Sequence, residues 1–145
     1  MIKYIKGDLF KAEQDILAHG CNCVGGFGSG VSGVMAKLHP KAKEKYLEKF
    51  NTEGWKLGDI QLVESNGKII ANCATQQKYF PRNIVNADYP AIEICMLKLY
   101  KLCKHTNKTL AIPKIGAGLA GGDWNKIEAI LKEVFEDIDV NVYYL

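Results

Sequence analysis

The sequence contains no apolar run approaching the ~20 residues that a membrane-spanning helix requires. Its first residues, MIKYIKGDLF, alternate apolar and charged positions and lack the apolar core of a secretory signal, so a cytoplasmic location is expected. Basic runs are also missing. A net charge of +3 suits a small anionic ligand but is too weak and too scattered for a nucleic-acid surface. Lys41, Lys43, Lys45 and Lys49 are expected on the solvated face of a helix. The five cysteines are odd in number and follow no disulfide framework, which predicts free thiols in a reducing compartment. His19, Cys21 and Cys23 alternate and could share a strand face. They lack a fourth ligand and any C-x-x-C or H-x-x-x-H spacing, so neither a metal nor another cofactor is expected. No G-x-G-x-x-G with a matching downstream acid follows the first strand, which argues against a dinucleotide-binding Rossmann unit. No internal repeat, low-complexity segment or linker interrupts the chain. Its 145 residues are near the common size of one domain, and one domain over 1–145, monomeric and free of membrane contact, is expected.

What the sequence does have is glycine in two clusters. Six of the fourteen glycines lie between Gly20 and Gly33, and four more between Gly116 and Gly122. Each cluster falls between an expected strand and an expected helix. Residues 2–5 alternate as a strand. Residues 15–19 read as a short buried strand feeding the first glycine loop. Residues 31–38 form a short helix, broken at His39-Pro40, and Pro40 opens the next helix, in which Ala42, Tyr46, Leu47 and Phe50 recur at helical spacing. Residues 60–63 and 69–74 read as strands joined through Asn66-Gly67, a hairpin signal. Residues 76–86 look like a loop. A helix over 89–104 would be capped by Asp88, with Ile92, Cys95, Met96, Leu99 and Cys103 as its buried stripe. Residues 109–115 form a strand, Asp123 caps a last helix, and residues 140–145 close the chain as a strand. This alternation predicts an α/β fold with a mixed, mostly parallel sheet covered on both faces. Ligands bind beyond the carboxyl ends of strands in such sheets. Both glycine loops leave strand ends, so they are expected to converge on one crevice. There, backbone N–H groups unobstructed by Cβ atoms, and a helix N-terminus, would meet a phosphate.

Four stretches in order, Gly7-Asp8-Leu9, Ala18-His19-Gly20-Cys21-Asn22, Gly28-Ser29-Gly30-Val31 and Pro113-Lys114-Ile115-Gly116-Ala117-Gly118-Leu119, resemble the motifs of macro domains, and they span nearly the whole chain. The resemblance implies a three-layer α/β/α domain that binds ADP-ribose compounds. His19-Gly20-Cys21-Asn22-Cys23 and residues 70–76 look most like a branch holding ADP-ribose 1''-phosphate phosphatases and a hydrolase that removes ADP-ribose from glutamate esters and modified DNA bases. The hydrolase uses a lysine and an aspartate at positions that here look like Gln76 and Ala120, which turns the expectation towards the phosphatase. Removal of ADP-ribose from protein or nucleic acid, and non-catalytic reading of ADP-ribose, are the alternatives.

By the same resemblance, Asp8 would accept from the adenine amino group, with Gly7 and Leu9 beside it, and Asn22 would bond the distal ribose. Gly20, Cys21, Phe27 and Ser32 would flank the ligand. Gly28 to Val31 would cradle the distal phosphate from one side, and Pro113, Lys114, Ile115, Gly116, Ala117, Gly118 and Leu119 would face it from the other. His19 would bind and protonate the phosphate. Independently of the resemblance, Asp88, which begins a helix and could face the crevice, is the candidate to orient water, with Asp123 at the start of the last helix as the alternative. Each polar residue has a plainer reading as well. Asp8 or Asn22 could form a turn, His19 could be a core histidine, and Asp88 could be only a helix cap. Tyr79 and Phe80 could cover the ligand or simply pack, and Tyr143, Tyr144 and Leu145 could touch adenine or only complete the last strand.

Overall fold

A computed structural model describes all 145 residues. Six strands, β1 (Ile2–Lys6), β2 (Ile16–Cys21), β3 (Ile60–Ser65), β4 (Lys68–Ala74), β5 (Leu110–Pro113) and β6 (Val140–Tyr144), form one sheet in the order β1-β6-β5-β2-β4-β3. All neighbours are parallel except β3 and β4. That exception is the hairpin signalled by Asn66-Gly67. Both residues have positive φ (50° and 77°), as a two-residue turn between Ser65 and Lys68 demands.

Four helices cover the sheet: α1 (Gly30–Leu38), α2 (Pro40–Thr52), α3 (Tyr89–Thr106) and α4 (Trp124–Val134). Side chains alternate along the strands, so each strand feeds two cores. Ile16 and Ala18 of β2 join Ala71 and Cys73 of β4 in the core with α3 and α4. Leu17 and Cys21 of β2 join Ile70 and Ala74 of β4 in the core with α1 and α2. The expected stripe of α3 is buried throughout. The period of two therefore assigns His19, between Ala18 and Gly20, to the α1–α2 face along with Asn72 of β4. These two residues are register partners.

The strand ends differ slightly from expectation. β2 runs on to Cys21, and β5 stops at Pro113, because Pro113 has no N–H with which to continue the ladder. No helix is long and apolar enough to cross a membrane.

Candidate functional site

The carboxyl ends of β2, β4 and β5 open into a cavity of about 800 Å3, within the usual range of small-molecule sites. Its wall includes residues 20–22 and 25–32 of the first glycine loop, and residues 113–116 and 118–120 of the second. The two loops meet: a Cβ added to Gly30 would stand 3.4 Å from Leu119 Cδ1. Gly30 also has a φ of +58°, a left-handed value that a side chain disfavours, and it is the first residue of α1. At the floor, a Cβ on Gly20 would lie 2.5 Å from Thr75 Oγ1, so the penultimate residue of β2 must be glycine for Thr75 to reach the cavity. Thr75 is 1% exposed and its hydroxyl makes no hydrogen bond within the protein.

The electrostatics have one sign. Lys43, Arg82 and Lys114 line the wall, and no Asp or Glu does. Arg82 donates from Nη2 to Ser29 Oγ at 3.2 Å, tying the 76–86 loop to the start of α1 across the mouth. The Lys114 ammonium lies over the rings of Trp124 and Tyr144 at 5.7 and 5.5 Å, with Glu128 near enough to feel its charge. The first N–H groups of α1, from Gly30, Val31 and Ser32, have no carbonyl four residues back inside the helix and add positive potential at the same place.

Several expected site residues sit elsewhere. His19 is fully buried beneath the cavity, not in its wall. Phe27 packs edge-on against its ring at 5.2 Å, and Ser32 Oγ lies 3.0 Å from Nδ1. Burial pushes its pKa down to about 4, against a smaller opposite pull from the bond to Asn72. A neutral ring without access to the cavity cannot be the phosphate-binding acid, so that role is corrected. Asn22 reaches the wall, but its amide is engaged within the loop. Its Oδ1 accepts from Val24 N at 3.0 Å and Gly26 N at 3.1 Å, and its Nδ2 donates to the Gly26 carbonyl at 2.7 Å. It shapes the loop as an Asx turn; its Oδ1 is fully occupied, and one Nδ2 hydrogen is left to donate to a ribose. Asp88 caps α3, accepting from Ala91 N at 2.9 Å, and lies outside the wall.

Gly7, Asp8 and Leu9 also lie outside the wall. They follow the edge strand β1, and the 3₁₀ turn Leu9–Lys11 folds back against β5, with Leu9 in the same core as Ala111. Asp8 accepts from Phe10 N at 2.9 Å as the cap of a single 3₁₀ turn, and Leu9 is buried. Ala117 is the one member of the second loop's stretch that turns away. Of the other apolar candidates, Tyr79 lines the cavity, whereas Phe80, Tyr143, Tyr144 and Leu145 do not. Cys21 and Cys23 are buried free thiols whose pKa values burial raises, that of Cys23 to about 11.

Other wall residues escaped the sequence reading. Lys43 faces the cavity rather than only solvent, because α2 packs beside the mouth. Arg82 and Thr75 arrive from the segment after β4. The run Tyr79-Phe80-Pro81-Arg82 inside a polar loop was the available signal for Arg82. Gln76 and Ala120 both line the wall, where they present an amide and a methyl group.

Comparison with known proteins agrees with this architecture. Residues 18–131 match the macro domain family. The chain belongs to that family. This macro domain is 36% identical to an uncharacterized 17.5 kDa protein from the tk-vs intergenic region of Enterobacteria phage T4, over 97% of this chain and 94% of the phage protein. It is 33% identical to the ADP-ribose 1''-phosphate phosphatase of Candida albicans, over 100% of both chains. Among solved structures, the macrodomain of Mycobacterium tuberculosis DarG has 25% identity and a TM-score of 0.87, covering 100% of this chain and 98% of that one.

Proposed function

We propose that this macro domain binds ADP-ribose and hydrolyses ADP-ribose 1''-phosphate to ADP-ribose and phosphate. The observation that carries the reading is the wall itself, with three cations, two glycine loops and no carboxylate. Such a wall attracts a ligand bearing several phosphates and repels none of them. The full-length relationship to the fungal phosphatase supplies the reaction class. In phosphoryl transfer the protein has little covalent work to do, and placing and neutralising the phosphoryl oxygens dominates. Arg82, Lys43 and the N–H groups that open α1 are arranged for that task. Gly28 to Val31 would hold the distal phosphate from the α1 side, and Gly116, Gly118 and Leu119 from the β5 side. Thr75, with its free hydroxyl, would bond a polar atom of the ligand at the floor. Gln76 and Ala120 offer neither a cation nor a carboxylate for cleaving an ADP-ribosyl linkage to protein or DNA.

The test is a substrate panel. The protein is incubated separately with ADP-ribose 1''-phosphate, ADP-ribosylated protein and ADP-ribosylated DNA, and phosphate and ADP-ribose are quantified. Phosphate from the first substrate alone is expected. ADP-ribose from the conjugates without phosphate from the first would replace this reading by an ADP-ribosyl hydrolase. Binding without release from any substrate would leave a reader.

A further inference from the structure

A polar row crosses three strands beneath the cavity floor. Gln61 on β3, Asn72 on β4 and His19 on β2 are successive register partners. The direction of every hydrogen bond in the row is fixed from its outer end, on the edge strand β3. Gln61 Nε2 donates to the Lys45 carbonyl at 2.9 Å. A carbonyl only accepts, so Gln61 must turn its Oε1 towards Asn72. Asn72 Nδ2 donates to that oxygen at 3.0 Å and to the Ala42 carbonyl at 3.1 Å. Asn72 Oδ1 is thereby left facing His19 Nε2 at 2.5 Å. An amide oxygen also only accepts, so Nε2 carries the proton of the neutral ring and Nδ1 is bare.

The bare Nδ1 stands 3.0 Å from Ser32 Oγ, closer than the alternative acceptor, the Gly20 carbonyl at 3.3 Å. Ser32 is half-buried in the first turn of α1 and belongs to the cavity wall. Its hydrogen is drawn inward to His19, which leaves the lone pairs of Oγ free to accept. In a wall without carboxylates, this hydroxyl has a proton acceptor directly behind it.

We propose that Ser32 is a catalytic residue of this site: its Oγ accepts a proton from the water that attacks phosphorus while passing its own hydrogen to His19 Nδ1. The inference rests on the phosphatase reading. A bond forms between the water oxygen and phosphorus, and the bond from phosphorus to the anomeric oxygen of the sugar breaks. The leaving oxygen takes the proton carried by the phosphate monoanion. The water proton received by Ser32, and the hydrogen passed to His19, return in reverse order to the released phosphate, so the protein ends unchanged. His19 and Asn72 touch neither substrate nor water. His19 holds the relayed proton through Ser32, and Asn72 is a positioning residue: it sets the tautomer, and the tautomer sets the polarity of Ser32.

The experiment combines kinetics with a spectroscopic signature, on the full chain. Phosphate release from ADP-ribose 1''-phosphate is measured for the wild type and Ser32→Ala. ADP-ribose affinity is measured by calorimetry, and the ring nitrogens of His19 are observed by 15N NMR. Removing a proton-transfer group lowers kcat by about 100-fold or more, with KM and the ADP-ribose Kd kept within about threefold. In the wild type, Nε2 gives a protonated and Nδ1 an unprotonated resonance, and the Nδ1 signal moves in Ser32→Ala. A kcat kept within about threefold in Ser32→Ala, or a protonated Nδ1 in the wild type, overturns the proposal. Wild-type protein that releases no phosphate overturns the phosphatase reading and the catalytic role together. The first two results leave the phosphatase reading standing, so the two failures are told apart.

Discussion

The Tyr46 hydroxyl stands 2.7 Å from the backbone carbonyl oxygen of Asn22 and 2.9 Å from its side-chain Oδ1, and it also accepts from Gly25 N at 3.1 Å. One buried phenol on α2 thus pins the bend of the first glycine loop at three points. Tyr46→Phe keeps the ring and removes all three contacts. It is expected to cost about 1–3 kcal/mol of stability, because the loop's polar groups lose a buried partner. ADP-ribose affinity should fall with it, since the loop carries the N–H groups of the wall. Chemical denaturation and calorimetry check both, and an unchanged midpoint with unchanged affinity would refute the pinning role.

Gly20 and Thr75 are coupled by space. A methyl group on Gly20 would fall 2.5 Å from Thr75 Oγ1, so Gly20→Ala should destabilise the fold by about 1–3 kcal/mol through overpacking. Thr75→Ala removes the atom in the way, and the double variant should recover most of that loss. A double-mutant cycle measures the coupling. Purely additive effects would show that the added methyl group finds room elsewhere.

Arg82 is the wall cation that ties the 76–86 loop to Ser29. Arg82→Ala is expected to weaken ADP-ribose binding by roughly 10- to 100-fold, the range for losing hydrogen bonds from a charged group. The loss should shrink at high salt. Equal affinities for wild type and variant at low salt would place Arg82 outside the ligand's reach.

His19 makes stability depend on pH with a defined sign. Its pKa is about 4 in the folded protein and about 6.5 in an unfolded chain. The folded value is the lower one, so between these values the unfolded chain binds more protons, and stability rises with pH. The contribution is fully present above about pH 6.5 and is lost as pH falls towards 4, with a span of at most about 3 kcal/mol. His39, which burial also pulls down, adds in the same direction. Urea unfolding at several pH values across this window checks the slope. His19→Gln, which can still donate to Asn72, should flatten it, and an equally steep slope in that variant would contradict the assignment.

Periodicity made much of the fold legible. The stripe of α3, the Asn66-Gly67 hairpin and the two glycine loops at strand ends are local patterns, and local patterns survive folding. The identity of the wall was legible where backbone makes it, from Phe27 to Ser32 and around Gly116. Depth was not. His19 is hidden because Phe27 and Ser32, 8 and 13 positions further on, fold back over it. The Oδ1 of Asn22 is consumed by contacts with Val24, Gly26 and Tyr46 that no spacing announces. Asp88 obeyed its plainer role as a cap. Lys43 looked like any lysine on a wet helix face, and only the packing of α2 beside the mouth turns it towards the ligand.

The reaction proposed for this wall is hydrolysis of the terminal phosphate monoester. The most direct measurement is 31P NMR of ADP-ribose 1''-phosphate mixed with the wild-type protein. The monoester resonance should vanish as inorganic phosphate appears, with both pyrophosphate resonances of ADP-ribose unchanged. A monoester resonance that persists, or pyrophosphate resonances that disappear instead, would contradict the account.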